Sequence, residues 1–136
     1  MDRTLIIVKP DGVRRGLVGE ILTRFERRGL RLVAADVRTL DEATARVHYA
    51  EHEGKAFFDP LVVFLTSGPV LVGVLEGGED TWRVVRTTIG ATNAKEAAPG
   101  TIRGDLANDT RENLVHASDS PESAVREIAL FFPHLV

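Results

Sequence analysis

Short apolar runs alternate with amphipathic segments along this 136-residue chain. Residues 4–8 form a continuous apolar run that ends at turn residues, a pattern typical of a fully buried strand. Three further runs, 30–37, 70–75 and 114–116, have strand character. The chain length fits one domain, residues 1–136. The pattern therefore predicts a single layered domain in which helices pack on a small β-sheet.

Five stretches have the spacing or the end signals of helices. Apolar residues between 17 and 25 recur at helical spacing, and Gly29 follows where a helix C-cap is expected. Residues 39–42, Thr-Leu-Asp-Glu, resemble a capping box that starts a helix running toward His52. Further helices are predicted at 57–65, at 81–88 and near the end of the chain, where the inner face consists of Val125, Ile128, Leu130 and Phe132.

The segment from Ile89 to Glu112 has no clean periodicity. A structureless stretch of this length is uncommon in a compact domain unless it is functional. Its polar and basic side chains suit a loop over an anionic ligand; they include Thr92, Asn93, Lys95 and Arg103.

Composition excludes several classes of protein. The chain has no cysteine, so it has neither a disulfide framework nor a thiolate metal site. A net charge of -3 argues against a general nucleic-acid binder, so an anionic ligand would need a local basic cluster. No apolar run approaches membrane-spanning length, and residues 5–8 are too few for the apolar region of a signal peptide. We therefore expect a cytoplasmic protein with no membrane partner and no specific nucleic-acid partner.

Neither common phosphate-binding loop is present. The segment from Gly12 to Gly19 follows the first strand, but it lacks the Lys-Ser/Thr pair of a P-loop and the spacing of a dinucleotide fingerprint. The signature set of protein kinases is also absent. A bound nucleoside triphosphate would therefore have its phosphates held by side chains.

His116 is the strongest candidate for chemistry. It ends the short apolar run 114–116, and Pro121 is placed to open the next helix, because proline suits the first helical position. A histidine on a rigid strand end, facing the positive end of a helix, is well placed to attack a phosphate. The alternative is a strand-end histidine whose ring is bound by a neighbouring carbonyl.

The segment Asn113–Ser120, Asn-Leu-Val-His-Ala-Ser-Asp-Ser, resembles the phosphohistidine segment of the nucleoside diphosphate kinase family. Further family motifs occur in the same order and approximate spacing: Lys9-Pro10-Asp11-Gly12, His48-Tyr49, Phe57-Phe58, Ser67-Gly68-Pro69, Pro99 to Asp105, and Glu127. The resemblance extends from Arg3 to Phe132 and is to the bacterial type with a short C-terminus. Several separated motifs in register make it specific.

The resemblance implies a fold and an activity. The fold is α/β (α+β): a ferredoxin-like βαββαβ sandwich with a four-stranded antiparallel sheet and added helices between its halves. Alternation of the segments alone does not specify that topology. The activity is transfer of the γ-phosphate of a nucleoside triphosphate, typically ATP, to nucleoside diphosphates by a ping-pong mechanism through a phosphohistidine.

The resemblance also assigns catalytic roles. His116 matches the nucleophile, and Glu127 matches a carboxylate that accepts a hydrogen bond from one ring nitrogen and leaves the other free. Tyr49 matches a tyrosine near the catalytic imidazole, and Ser118 belongs to the same segment as His116. On residue type alone, Glu127 would be read as part of a solvated helix face.

Nucleotide contacts follow from the same resemblance. The phosphate-contacting positions correspond to Arg86, Thr92 and Arg103, and the sugar-contacting positions to Lys9 and Asn113. Phe57 matches the base-stacking position, with Leu61 beside it, whereas Phe58 is expected in the core. A base held mainly by stacking is read permissively, because every base has a π-face. Without the resemblance, the three cations would be read as solvated surface groups.

The resemblance implies Mg²⁺ as cofactor, carried by the nucleotide phosphates without dedicated protein ligands, with Asp119 as the nearest outer-shell carboxylate. His48 and His52 lie four residues apart on a predicted helix, which could make them metal ligands on one face. The zincin pattern needs Glu directly after the first histidine, and Tyr49 stands there instead, so a metal role for the pair is a weak hypothesis. His134 is expected to be exposed.

Two other functions remain open at this point. A phosphohistidine carrier or regulator that passes phosphate to a protein needs His116 but not Phe57, Arg86 or Arg103. A non-catalytic ferredoxin-like ligand-sensing module needs no nucleophile. Transfer to free diphosphates favours the kinase over the carrier, and failure to form a phosphoenzyme with ATP favours the sensing module.

Assembly is predicted from the edge of the sheet. The apolar strand 30–37 suggests an edge that meets its copy across a two-fold axis, and closed symmetry then builds a hexamer or a tetramer from such dimers. Ala117 replaces the glycine more usual after the catalytic histidine, and Ala91 and Ala94 replace larger or stiffer loop residues. We expect activity to survive the first change and the loop changes to bear on assembly.

Overall fold

In the computed structural model, which describes residues 2–135, four strands form one sheet: β1 (Asp2–Val8), β2 (Arg31–Arg38), β3 (Val70–Gly77) and β4 (Val115–Ala117). The helices are α1 (Pro10–Arg14), α2 (Val18–Arg27), α3 (Glu42–His48), α4 (Phe58–Leu65), α5 (Thr81–Ile89), α6 (Ile102–Leu106) and α7 (Pro121–Phe131). Short 3₁₀ turns occupy Ala50–His52, Ala94–Glu96 and Pro133–Leu135. Among the residues described, no helix is long and apolar enough to cross a membrane.

The strand order is β2-β3-β1-β4, and each neighbouring pair is antiparallel. Helix α2 connects β1 to β2, and helix α5 lies between β3 and β4, which completes the βαββαβ order. Helices α3 and α4 are the additions between the two halves. The ferredoxin-like fold expected from the resemblance is confirmed.

The two central strands are buried on both faces of the sheet. Leu5 and Ile7 of β1 pack in a cluster with residues of α3, α4 and α7. Ile6 and Val8 point to the opposite face and pack with residues of α2, α5 and α6. Burial on both faces explains why this strand is a continuous apolar run without alternation.

Some helix boundaries and faces differ from prediction. The predicted capping box is wrong, because the N-cap is Asp41, whose carboxylate accepts a hydrogen bond from the Thr44 amide at 2.7 Å. The helix that follows ends at His48, and the chain continues as a 3₁₀ turn. The segment 89–112 is not structureless, since it contains α6 and a 3₁₀ turn.

Val125 was predicted to face inward but is 65% exposed. With Pro121 as the first residue of α7, the inward face instead includes Ala124, Ile128 and Phe131. Phe132 is buried just beyond the helix.

Gly104 allows α6 to pack closely on the preceding loop. The hydroxyl of Thr101 accepts a hydrogen bond from the Gly104 amide and donates one to the Ala98 carbonyl. A Cβ built on Gly104 would lie 1.9 Å from that same carbonyl oxygen. Because the obstacle is backbone, it has no side-chain rotation by which to move away.

We expect Gly104→Ala to lower the free energy of unfolding by at least the ~1–3 kcal/mol typical of overpacking. Gly19→Ala is the matched control, since Gly19 lies in α2 and a Cβ there meets no atom within 4 Å. That substitution should stabilise by about 0.5–1 kcal/mol, because alanine has the higher helix propensity. Urea denaturation of both variants measures the two effects, and an unchanged midpoint for Gly104→Ala would contradict the packing argument.

Candidate active site

A cleft of about 750 Å³ collects the predicted site residues from distant parts of the chain. The predicted residues that line it are Lys9, Tyr49, Phe57, Leu61, Arg86, Thr92, Arg103, Asn113, His116, Asp119 and Glu127. Ser118 does not line the cleft but is fully buried against Glu127. Asn93 and Lys95, expected over the ligand, also lie outside the lining, where Asn93 instead caps the 3₁₀ turn by accepting from the Lys95 amide.

His116 is the middle residue of β4, and its side chain retains 21% exposure. Its Nε2 lies 2.8 Å from Oε1 of Glu127. A carboxylate in this position accepts the Nε2 proton, so the neutral ring has its free lone pair on Nδ1. The arrangement leaves one defined nitrogen available as a nucleophile.

Glu127 is buried on the inner face of α7, with a side-chain exposure of 5%. Burial raises the pKa of its carboxyl group. Its Oε1 also accepts a hydrogen bond from the hydroxyl of Ser118 at 3.0 Å. The oxygen of that hydroxyl accepts a hydrogen bond from the Leu5 amide of β1 at 3.3 Å. The carboxylate is therefore tied to both β4 and β1.

The start of α7 immediately after β4 places Glu127 opposite His116. Ser120 is the N-cap and accepts a hydrogen bond from the Ser123 amide at 3.0 Å, and Pro121 occupies the first turn. The hydroxyl of Ser123 donates to Asp119 at 2.7 Å. These contacts fix the helix start and hence the rotation that turns Glu127 inward.

His116 is held neutral by its surroundings. Burial lowers its pKa to about 3, and the positive charges of Lys9, Arg86 and Arg103 act in the same direction. A neutral imidazole at physiological pH keeps the Nδ1 lone pair available.

Strand β4 begins with an unusual backbone conformation. Leu114 has a φ of 78°, in the left-handed region that non-glycine residues rarely adopt. Its amide donates to the buried carboxylate of Asp11 at 3.0 Å, and its carbonyl accepts from the Lys9 amide at 2.8 Å. Contacts from the chain that follows β1 thus impose the turn that leads into His116.

The same turn presents the Asn113 side chain. Its Oδ1 accepts from Nζ of Lys9 at 2.8 Å, and its Nδ2 donates to the carbonyls of Thr92 and Thr110. Burial and the nearby charge of Arg103 lower the pKa of Lys9 to about 8.

Arg103 is buried and anchored to backbone. Its guanidinium donates to the carbonyls of Val115, Asn113 and Gly90 at 2.6, 3.2 and 3.2 Å. Burial and the charge of Arg86 lower its pKa to about 10. Arg86 donates to the Ala117 carbonyl at 2.8 Å.

Within residues 2–135, Lys9, Arg86 and Arg103 form no ion pair with a protein carboxylate. All three cations lower the pKa of His116, so the immediate surroundings of the ring are positively charged in a protein of net charge -3. The site is therefore suited to a polyanion.

The outer end of the cleft is aromatic and apolar. Phe57 is 43% exposed at the N-cap of α4, whereas Phe58 is buried in the core as expected. Leu61 is four residues further along and half-buried, so it shares the exposed face of Phe57. The Nζ of Lys55 lies 5.6 Å from the Phe57 ring centroid.

His48 occupies a position that sequence reasoning did not assign. Among the described residues, one cluster could hold a metal ion, and it contains His48, His116 and Glu127. His52 is not part of it, so the hypothesis that His48 and His52 bind a metal together is not supported. The ring centroid of His48 is 4.5 Å from that of His116 and 4.8 Å from that of Tyr49.

Burial raises the pKa of Tyr49 to about 12, so its hydroxyl stays protonated. His134 is exposed, as expected.

Several further lining residues had no predicted catalytic or nucleotide-binding role: Glu51, His52, Asp109, Thr110, Arg111, Glu112 and Ala117. Residues 109–112 form a wall whose conformation is set locally, since the Asp109 carboxylate accepts from the amides of Arg111 and Glu112. An Asp at the start of a turn is a sequence signal for such a loop, but it does not show which cleft the loop faces.

Comparison with known proteins gives whole-length matches. The family model described as nucleoside diphosphate kinase matches residues 2–135. The nucleoside diphosphate kinase of Chloroflexus aggregans is 58% identical over 135 residues, 98% of this chain and 89% of that protein. The structure of the halophilic nucleoside diphosphate kinase from Halobacterium salinarum, in complex with CDP, has a TM-score of 0.93 and 56% identity over 96% of this chain and 87% of that one. The crystal structure of a nucleoside diphosphate kinase family protein from Babesia bovis has a TM-score of 0.94 and 48% identity, over 98% of this chain and 90% of that one.

We predict that the His116 ring stays neutral from about pH 8 to about pH 5, below the ordinary histidine pKa of about 6.5. Its pKa is lower in the folded chain, so the unfolded chain binds more protons in this window and protonation of the ring favours unfolding. Histidine-selective NMR across the titration measures this directly. A His116 midpoint near 6.5 would contradict the electrostatic description of the cleft.

Proposed function

Because the chain belongs to the nucleoside diphosphate kinase family, we propose that His116 is the residue that carries the phosphoryl group. The chain is a phosphotransferase that moves the γ-phosphate of a nucleoside triphosphate to a nucleoside diphosphate. The observation that carries the assignment of His116 is the 2.8 Å contact between its Nε2 and Glu127, which leaves Nδ1 free. The alternative function, a phosphohistidine carrier that passes its phosphate to a protein, has no comparable support. Such a carrier needs no nucleotide contacts, whereas all the predicted nucleotide-contacting residues line this cleft.

The reaction has two half-steps at one atom. The Nδ1 lone pair attacks the γ-phosphorus in line, the bond to the β–γ bridging oxygen breaks, and the diphosphate leaves with that electron pair. A second diphosphate then attacks the phosphorus through a terminal β-phosphate oxygen, the N–P bond breaks, and Nδ1 regains its lone pair. The Nε2 proton stays between the ring and Glu127 throughout, and the carboxylate offsets the positive charge of the phosphorylated ring.

Arg86, Arg103 and Thr92 are the proposed phosphate contacts. Arg103 uses three of its five N–H groups on backbone carbonyls, which leaves two for phosphate oxygens while the side chain is held rigid. Rigid cations aimed at the transferring group stabilise charge without reorganising during the reaction. The protonated hydroxyl of Tyr49 adds a neutral donor on the same cleft.

Lys9 and Asn113 are the proposed sugar contacts, and their hydrogen bonds define what each can offer. Both Nδ2 protons of Asn113 are used on backbone carbonyls, so only a lone pair of Oδ1 remains. Lys9 has two N–H groups beyond the one given to Asn113. Together they present an acceptor and donors to sugar hydroxyls.

Phe57 and Leu61 are the proposed base contacts. Stacking on one exposed aromatic ring with an aliphatic neighbour discriminates little between bases. The binding of CDP by the Halobacterium salinarum relative supports a cleft of this kind that accepts a pyrimidine nucleotide.

Mg²⁺ is the proposed cofactor, and the donor set fits an ion that arrives with the nucleotide. Among the described residues, the one cluster of potential metal ligands contains two imidazoles and a single carboxylate, whereas Mg²⁺ prefers a set made of oxygen ligands. The exposed carboxylate of Asp119 lines the cleft and would hold a water of the ion's outer shell. When bound, Mg²⁺ offsets phosphate charge.

We also propose a homo-oligomer built from dimers through β2, as a hexamer or a tetramer. Strand β2 is at one edge of the sheet, and Val37 on it is 64% exposed. An unpaired edge with an apolar side chain suits pairing with a second copy. Light scattering at micromolar concentration should give a multiple of the dimer mass, and a fully active monomer would contradict the proposal. A cytoplasmic location stays a prediction.

Incubation with ATP and Mg²⁺ should add one phosphoryl group to the protein. Initial rates with varied donor and acceptor should follow ping-pong kinetics. His116→Ala should abolish both labelling and transfer, because it removes the nucleophile, whereas His134→Ala, an exposed site outside the cleft, should change neither. Intact-mass spectrometry measures the label. Retained labelling in His116→Ala would show that another residue carries the phosphate.

Phosphate and base contacts should separate kinetically. Arg86→Ala should lower kcat/KM by the equivalent of about 2–4 kcal/mol, mainly through kcat, because removal of one preorganised donor costs about that much transition-state stabilisation. Phe57→Ala should raise KM by the equivalent of about 1–3 kcal/mol, the scale of one stacked base, with little change in kcat. Steady-state kinetics checks both, and a large loss of kcat in Phe57→Ala would contradict this division.

A further inference from the structure

His48 is a buried histidine whose ring nitrogens have no hydrogen-bond partner within residues 2–135. It is 3% exposed and lies at the end of α3, with its ring against those of His116 and Phe131. A buried polar group without a partner is costly, so such a group in a native site calls for an explanation. The proposed phosphoryl transfer makes no use of this ring.

The ring faces a carboxylate and a second imidazole. One ligand atom from each of His48, His116 and Glu127 lies within 4.8 Å of the other two. Around a tetrahedral zinc ion, with bonds of about 2.0–2.2 Å, ligand atoms lie roughly 3.3 Å apart. The His116–Glu127 pair is 2.8 Å apart and the whole cluster lies within 4.8 Å, so the present distances fall on both sides of the spacing that the ion requires. Binding therefore needs the pair to open and the His48 ring to approach it.

We propose that His48, His116 and Glu127 form a binding site for Zn²⁺ that inhibits phosphoryl transfer. Two imidazoles and one carboxylate are a common three-ligand set for this ion, with the fourth position open. All three residues line the cleft, which provides an entry path. Imidazole ligands favour Zn²⁺ over Mg²⁺, so this site is distinct from the ion carried by nucleotide phosphates.

Inhibition follows from the ligands that the metal takes. Zn²⁺ bound to Nε2 of His116 and to Glu127 replaces the hydrogen bond that orients the ring. The proton of the neutral ring then sits on Nδ1, where it occupies the lone pair needed for attack on phosphorus. The inhibitory part rests on the proposed role of His116, whereas the binding part does not. Because no residue among those described orients the His48 ring by a hydrogen bond, we expect reversible binding that EDTA removes.

Zinc titration of the intact protein, followed by histidine ring NMR, tests the binding. The chain has four histidines, so each ring can be assigned. Zn²⁺ should shift the ring signals of His48 and His116 and leave those of His52 and His134 unchanged. The same concentration of Mg²⁺ should shift none of them. Equal shifts at all four rings, or none at His48, would overturn the proposal.

His48→Phe removes one ligand and keeps a planar ring, and it breaks no hydrogen bond to a described residue. Calorimetric zinc affinity should fall at least about tenfold, whereas His52→Gln should leave it unchanged. In a metal-buffered assay, the zinc concentration for half-inhibition should rise by a similar factor, relative to each protein's own metal-free rate. Unchanged affinity in folded His48→Phe would overturn the site, and the ring shifts of the parent protein decide it if that variant does not fold. Absence of transfer in the metal-free parent would contradict the proposed function instead.

Discussion

Oε1 of Glu127 accepts two hydrogen bonds, from Nε2 of His116 and from the hydroxyl of Ser118. Through these bonds one buried carboxylate joins helix α7 to strand β4, and the Ser118 hydroxyl extends the network to the Leu5 amide in the central strand. A buried carboxylate is stable only when its oxygens are well bound. The orientation of His116, the proposed nucleophile, is thus set by the same contacts that fasten the last helix to the sheet.

The remaining charges of the cleft have the opposite character. Lys9 and Arg103 are buried, and their partners are amide and carbonyl oxygens, not carboxylates. Burial and the charge of a neighbouring arginine lower the pKa of both groups, to about 8 and about 10, and the charge of Asp11 only partly opposes this. We propose that a bound polyphosphate brings negative charge to this cleft, whose cationic side chains are already held in place by amide and carbonyl groups.

Much of the fold follows from local patterns, because the strands are continuous apolar runs and the longer helices have clear periodicity. The five-residue helices α1 and α6 escape such reasoning, since so short a segment carries little periodic signal. The capping position at Asp41 and the exposed Val125 show that end signals and helical phase are easily shifted by one or two residues.

For the site, too, the sequence predicts some features and not others. The family motifs led to residues that do line one cleft, but their hydrogen bonds come from tertiary structure. Nothing local indicates that Arg103 is anchored on three carbonyls, or that His48 lies against His116. The Arg103 contacts span 10 to 13 positions and the histidine contact joins different elements, so local sequence patterns do not reveal them.

We propose that the contact with Glu127 selects Nδ1 of His116 as the phosphoryl carrier. NMR of the phosphorylated protein with ¹⁵N-labelled histidine rings identifies the nitrogen bonded to phosphorus by its ³¹P–¹⁵N coupling. We expect coupling to Nδ1 of His116 and to no other ring nitrogen. Coupling to Nε2, or to a ring nitrogen of another histidine, would contradict it.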